Sequence, residues 1–395
     1  MLQKIRQFEF IALMASLMSI TALCIDAVLP ALSDMGKALG TTHPADEQLI
    51  ITMIFLGMGI GPLAYGPISD SVGRKPVVYI GFLIFGVASL LCVYATNLQT
   101  MIIGRILQGI GLSAPRTMSI AMIRDKYSGD YMARIMSFVT VVFILVPIIA
   151  PTIGKGILEF SDWKGIFYGQ LLISVFVSLW FWQRQAETLP TAYKTPLSFK
   201  RVRFGFKEVL KNKQAIGYTL ITGFIVGSFM TYLSTAQQIF EVQYDLADQF
   251  PFVFGLLAFS VGVAILLNGV LVLKIGMYQL VKIALFTFFA ISLTYVILLY
   301  NSGNPVIEIL IIFLIVQFLA IGFLFGNLRA LAMEPMGHVA GVGASVSGFI
   351  STILAVPISF WIGTFVTATV LPIFIGFSIC ALISILILVY INRVT

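Results

Sequence analysis

Apolar residues run through this chain in long unbroken blocks, not at the spacing of a half-buried helix or strand. A helix needs about 20 such residues to cross a bilayer. Twelve blocks reach that length, at 8–30, 47–68, 76–95, 99–123, 134–158, 164–184, 214–239, 250–273, 277–300, 305–330, 340–364 and 367–391. Polar and charged residues collect in the gaps, which are short except for 185–213, between the sixth and seventh blocks. The pattern predicts an all-α membrane protein with twelve transmembrane helices. The first block follows Lys4 and Arg6, as in a signal peptide, but it is too long for one and carries Asp26, so it reads as a retained helix.

Composition excludes the soluble alternative. Of 395 residues, 59% are hydrophobic and 10% charged, against about 25% charged in a soluble domain. The net charge of +7 belongs to loops at a membrane surface, not to a nucleic-acid partner. With the N-terminus in the cytoplasm, 19 of the 24 Lys and Arg fall on that side, Arg134 and Arg201 among them, and only Lys37, Lys155 and Lys164 fall outside. That bias sets the topology, with both termini cytoplasmic. Cys24, Cys92 and Cys380 lie in apolar blocks, and His43 and His338 lie in loops. No metal-ligand spacing and no nucleophile–base set follows from them, so neither a cofactor, a metal nor an enzyme is expected.

The long gap divides the chain into a bundle over 1–184, a linker over 185–213 and a second bundle over 214–395. In the linker, Phe199, Val202, Phe206, Val209 and Leu210 interleave with cations, which predicts an amphipathic helix lying on the anionic leaflet of the lipid bilayer. The halves repeat. Gly66 and Gly73 recur 203 positions later as Gly269 and Gly276, and Ser137 with Val146-Pro147 recurs 210 positions later as Ser347 with Val356-Pro357. The repeat predicts two pseudo-symmetric six-helix bundles.

Candidate chemistry sits where polar residues interrupt this order. The turn Gly66-Pro67-Ile68-Ser69-Asp70-Ser71-Val72-Gly73-Arg74-Lys75-Pro76 packs two glycines, an acid and two cations between blocks 2 and 3. Gly73 permits a backbone turn closed to other residues, and Asp70 can cap the next helix or pair with an Arg. In block 4, Arg105, Gln108, Arg116 and Ser119 fall within about 80° of one another on a helix, with about 16 Å between the two Arg. A membrane-embedded Arg persists where it meets an acid or a cavity. Asp26 is the one acid well inside a block, and its depth matches that of Arg105 to about a turn, so the two can pair. Pro147, Pro151 and Gly154 give block 5 the makings of a kinked, closely packed helix. In the second half, Gln237, Gln238, Asn268, Gln317 and Asn327 are the polar residues within otherwise apolar blocks and are candidates to line a substrate cavity.

The turn from Gly66 to Pro76 resembles the loop between helices 2 and 3 of the major facilitator superfamily. Arg105-x-x-Gln108-Gly109 resembles its helix-4 motif, and Asp26-Ala27-Val28-Leu29-Pro30 resembles the helix-1 element of its drug:proton antiporters with twelve transmembrane helices. Ile123-Arg124-Asp125 and Trp163 conform to the bacterial Bcr/CflA subgroup. Helix 5 departs from the antiporter motif, with Val146 in place of a Gly and Lys155 between Gly154 and Gly156. The resemblance implies two bundles around a central cavity, in a monomer of the bacterial cytoplasmic membrane that works by alternating access. It implies that Asp26 carries a proton and Arg105 tunes it. It also implies that Gly66, Asp70, Gly73, Arg74 and Lys75 form a latch on the cytoplasmic gate.

These implications add up to a proton-coupled exporter of small molecules, driven by the proton gradient. Two intramembrane Arg against one acid leave an excess positive charge, which favours neutral or carboxylate-bearing substrates, including siderophores or metabolites, over cations. A proton-coupled importer would share the fold. A polytopic membrane enzyme is the alternative of another class.

Overall fold

The computed structural model describes residues 2–194 and 196–394, with side chains described except at 2–6, 129–131, 133, 134, 137, 140, 144, 199, 201, 338–340 and 394. The side chains of Lys4, Arg6, Arg134, Ser137, Arg201 and His338 therefore lie outside the described residues. Every regular element among the described residues is helical: α1 (Leu2–Asp26), α2 (Leu32–Leu39), α3 (Pro44–Val72), α4 (Arg74–Val93), α5 (Leu98–Lys126), α6 (Gly129–Leu158), α7 (Lys164–Arg184), α8 (Phe199–Lys211), α9 (Lys213–Gln237), α10 (Phe250–Ile275), α11 (Met277–Leu299), α12 (Ile307–Met333), α13 (Ala340–Thr364) and α14 (Leu371–Val394). Each of the twelve apolar blocks contains a long helix. Among the described residues, eleven candidate spans are apolar and long enough to cross a membrane. The twelfth long helix, α5, carries Arg105, Gln108, Arg116, Arg124 and Asp125, and these dilute its apolar character.

Two departures from the sequence expectation matter. The first block does not continue as one helix to Pro30. It ends at Asp26, passes through a 3-10 turn at Leu29–Ala31 and restarts as α2. Proline lacks an N–H and disfavours helical geometry in the residue before it, so Pro30 breaks the helix beside Asp26. The second departure is at the end of α9, where Gln238–Gln243 forms a π-helical turn, a wider coil that often marks functional segments. The amphipathic linker helix is present as α8.

The chain divides into two compact units, Met1–Thr42 with Met53–Arg201, and His43–Thr52 with Val202–Thr395. The start of α3 therefore clusters with the second unit, and the division on the linker side falls within α8. Inside the first unit α4 packs on α5, and α1 packs on α5, α6 and α7. Inside the second, α11 packs on α12, and α9 packs on α12, α13 and α14. Each pairing in one unit has its counterpart in the other.

Without a hydrophobic force between helices in lipid, small residues set how closely they approach. A Cβ added at Gly109 on α5 would sit 1.9 Å from the Ile54 carbonyl oxygen on α3, and one at Gly57 on α3 would sit 2.0 Å from the Ile106 carbonyl oxygen on α5. Both obstacles are backbone, so no side-chain rotation relieves them. Gly109→Ala is expected to lower the thermal midpoint in detergent by several degrees, an overpacking cost of about 1–3 kcal/mol. Gly269→Ala, whose added Cβ meets nothing within 4 Å, is the matched control and is expected to leave the midpoint in place.

Candidate functional site

Two polar clusters stand out in the first unit. One is the α3–α4 turn. The chain leaves α3 through Gly73, whose φ of 114° excludes an ordinary L side chain, and its N–H closes back on the Ser69 carbonyl at 3.0 Å. The Arg74 side chain folds over this turn. Its Nη1 donates to Asp70 at 2.6 Å and to the Ser69 hydroxyl at 2.7 Å, while Nε and Nη2 fork onto Asp125 at 3.0 and 3.4 Å. The side chain is only 11% exposed, so these charge-assisted bonds sit largely out of water, where they are strongest.

Asp70 pairs with Arg74 and does not cap α4. That place goes to Glu187, from the linker. Its carboxylate accepts the backbone N–H groups of Arg74 and Lys75, both at 3.0 Å, and those of Thr188 and Leu189 at 2.9 and 3.0 Å. An anion on the first turn of a helix satisfies donors that have no partner within the helix and meets the positive end of its dipole. The Thr188 hydroxyl donates to Asp125 at 2.9 Å, and Lys194 Nζ donates to the Val72 carbonyl at 3.1 Å. The start of the linker is thus fastened to the turn. Burial pushes the Glu187 carboxyl up, but the four backbone donors outweigh it and hold the group below the usual carboxylate range.

The second cluster surrounds Arg105, which is fully buried. Both terminal nitrogens donate to the Cys24 carbonyl at 3.3 Å, and Nη1 donates to Gln108 Oε1 at 2.9 Å. The guanidinium also lies 5.9 Å from the centre of the Phe167 ring on α7. The Gln108 amide nitrogen donates to the Ser89 hydroxyl on α4 at 2.8 Å. Cys24 belongs to the last turn of α1, where carbonyls lack helical donors and the dipole is negative. The helix end therefore supplies the counter-charge.

No ion pair joins Arg105 to Asp26 among the described residues, contrary to the expected pairing. Asp26, 5% exposed, is the last residue of α1. An added Cβ at Gly154 would lie 2.0 Å from the Ala27 carbonyl oxygen, so α6 presses its backbone on the turn that follows Asp26. Pro147 and Pro151 sit inside the same helix.

The polar stripe on α5 is split. Arg105 and Gln108 bind each other, whereas Arg116 is half-buried with its guanidinium 5.9 Å from the Phe143 ring, and Ser119 donates to the Arg116 carbonyl at 2.8 Å. In the second unit, Asn268 and Asn327 exchange amide hydrogen bonds at 3.4 and 2.7 Å. Gln317 donates to Ser292 and to the Phe288 carbonyl. Gln237 donates to Glu241 at 2.7 Å. Gln238 donates to the Val366 carbonyl at 2.5 Å and accepts from Gln48 at 3.2 Å. Glu187, Ser89 and Gln48 were not singled out from sequence, and neither was Asp125 as a site residue. The acid in the helix-4 ending was the one available signal for Asp125.

Twelve long helices in two similarly packed units, with a buried cation and a buried acid, define a polytopic membrane transporter. The family model of the Major Facilitator Superfamily matches residues 10–361, and the chain belongs to that family. It is 30% identical to the MFS-type transporter YdgK of Bacillus subtilis (strain 168), over 86% of this chain and 84% of the relative. It is 27% identical to the bicyclomycin resistance protein homolog of Haemophilus influenzae, over 96% and 95%. It is 26% identical to the multidrug resistance protein MdtL of Klebsiella pneumoniae (strain 342), over 93% and 92%. The fold is similar to that of a D-xylose-proton symporter, with a TM-score of 0.74 at 12% identity, covering 95% of this chain and 97% of the other. The chain is a transporter and not an enzyme.

The Glu187 contacts carry a pH prediction. A carboxyl whose folded-state titration is depressed contributes stability above its unfolded range and loses it as pH falls through the folded value. Glu187→Gln is expected to lower the thermal midpoint near neutral pH by a few degrees, a capping loss of about 1 kcal/mol. The gap from wild type is expected to close in acid. A gap that persisted there would assign Glu187 a purely steric role.

Proposed function

We propose that this protein exports small organic compounds, drugs among them, across a bacterial cytoplasmic membrane in exchange for protons, by alternating access and with both termini cytoplasmic. The observation that carries the proton coupling is Asp26. It is a buried acid at a helix break, and Arg105, the cation expected to pair with it, is bonded to the Cys24 carbonyl and Gln108 instead. A charge enclosed without a partner is costly, so an acid in such a place carries its charge when water reaches it and takes up a proton when it is enclosed. Substrate and proton then exclude one another, a negative coupling between two ligands of typically 1–3 kcal/mol.

The relatives named for bicyclomycin and multidrug resistance support the export of drugs. Arg105 and Arg116 against the single Asp26 favour neutral or carboxylate-bearing compounds over cations. The cluster of Asp70, Arg74 and Asp125, with Gly66, Gly73 and Lys75 in the same turn, is read as the latch of the cytoplasmic gate.

Everted membrane vesicles test direction and coupling together. An exporter loads everted vesicles when their lumen is acidified, whereas an importer loads right-side-out ones. Asp26→Asn is expected to reduce uphill accumulation at least about tenfold, within the span of one coupling energy, while downhill exchange of substrate continues. Full-rate uphill transport with a normal pH profile in Asp26→Asn would overturn the assignment. Transport of lipophilic cations alone would overturn the substrate class.

A further inference from the structure

The hydrogen bonds around Gln108 run in one direction, and the direction is forced. A guanidinium can only donate, so Gln108 must turn its amide oxygen to Arg105. That leaves its amide nitrogen facing Ser89. The single proton of the Ser89 hydroxyl is already committed to the Phe85 carbonyl at 2.8 Å, so Ser89 can only accept. It therefore supports the one amide orientation that also suits Arg105 and offers nothing to the flipped one.

The second unit contains the same relay without the cation. Phe288, Ser292 and Gln317 stand where Phe85, Ser89 and Gln108 stand in the first, at offsets of 203, 203 and 209. The Ser292 hydroxyl donates to the Phe288 carbonyl at 2.7 Å, and the Gln317 amide nitrogen donates to Ser292. Both glutamines and both phenylalanines are fully buried. At the position of Arg105 the copy carries Leu314, and there the Gln317 amide oxygen is buried with no hydrogen-bond partner. The relay thus forms without an Arg to organise it and presents an oriented amide oxygen in both units.

We propose that Ser89 is a positioning residue for Arg105, acting through Gln108 to fix the direction in which the guanidinium is held. Among the described residues, the thiols of Cys24 on α1 and Cys92 on α4 act on that guanidinium, and the centre of the Phe167 ring on α7 lies 5.9 Å from it. Asp26 lies two residues beyond the Cys24 carbonyl that Arg105 grips. Loosening Gln108 therefore loosens the grip of the cation on the last turn of α1, the turn that ends in Asp26. The transport arm of the test rests on the proton-coupled reading, whereas the stability arm does not.

The test compares Ser89→Ala, Ser292→Ala, Ser89→Thr and Arg105→Leu, together with the doubles of each Ser→Ala with Arg105→Leu, in proteoliposomes and by thermal unfolding. Arg105→Leu imitates the second unit. Ser89→Ala is expected to move the midpoint of the transport pH profile by about one unit, the size of a changed charge environment. Ser89→Thr, which keeps the hydroxyl, is expected to restore it, and Ser292→Ala to leave it in place. In unfolding, Ser89→Ala and Arg105→Leu are expected to be non-additive by several degrees, with Ser292→Ala and Arg105→Leu additive. Additive behaviour of the Ser89–Arg105 pair overturns the proposal whatever transport shows. So does an equal pH shift in Ser89→Ala and Ser292→Ala. A wild type whose export ignores pH overturns the proton-coupled reading, and the unfolding cycle still decides the role of Ser89.

Discussion

The first unit is organised around one electrostatic problem: holding the permanent charge of Arg105 where there is no water. Desolvating a cation costs several kcal/mol even after relaxation, and the common remedy is a carboxylate. Here the remedy is dipoles. The Cys24 carbonyl receives both terminal nitrogens, and Gln108 receives one of them. The carbonyl is at hand because α1 stops two residues later. A continuing helix would have its Cys24 carbonyl engaged and no dipole end at this depth. The break beside Pro30 and the burial of Arg105 are thus two halves of one arrangement, and Gly154 brings α6 against the same turn.

That arrangement lets the cation grip α1 two residues before Asp26 with no ion pair to the acid among the described residues. An Asp26 engaged with Arg105 would be held as a carboxylate and would make a poor proton carrier. On the proposed function, a cation held by backbone and amide dipoles leaves Asp26 available to a proton. A similar use of neutral groups appears at the α3–α4 turn in reverse, where backbone N–H groups hold the anion Glu187. Charged residues carry the motifs in both clusters, but main-chain groups bear much of the charge.

This also accounts for what was legible in the sequence. The long helices were, because a run of about 20 apolar residues has few other uses. The cluster of Asp70 and Arg74 was, because a short turn between two apolar blocks that holds an acid and an Arg around Gly73 brings the two charges together. The Asp26–Arg105 pairing was inferred from the rule that a buried charge seeks an opposite one. It failed because the actual partner is a carbonyl, which any residue type supplies. Glu187 was hidden for the same reason: it binds N–H groups 113 and 112 residues away in the chain. Gln317 looked like a cavity residue by type, yet its amide nitrogen is bonded within the bundle.

The repeat bears on why the cation is there at all. In the second unit the serine and glutamine make the same hydrogen bonds, and the helices pair as in the first, with Leu314 at the equivalent position. Folding of this architecture therefore does not require an Arg. A fully buried guanidinium that the packing can do without is an expense to stability, and the proposed function gives it a purpose through the end of α1 that it grips. On that proposal, a cation held by the Cys24 carbonyl, two residues before Asp26, biases the proton exchange of that acid without binding it in one state.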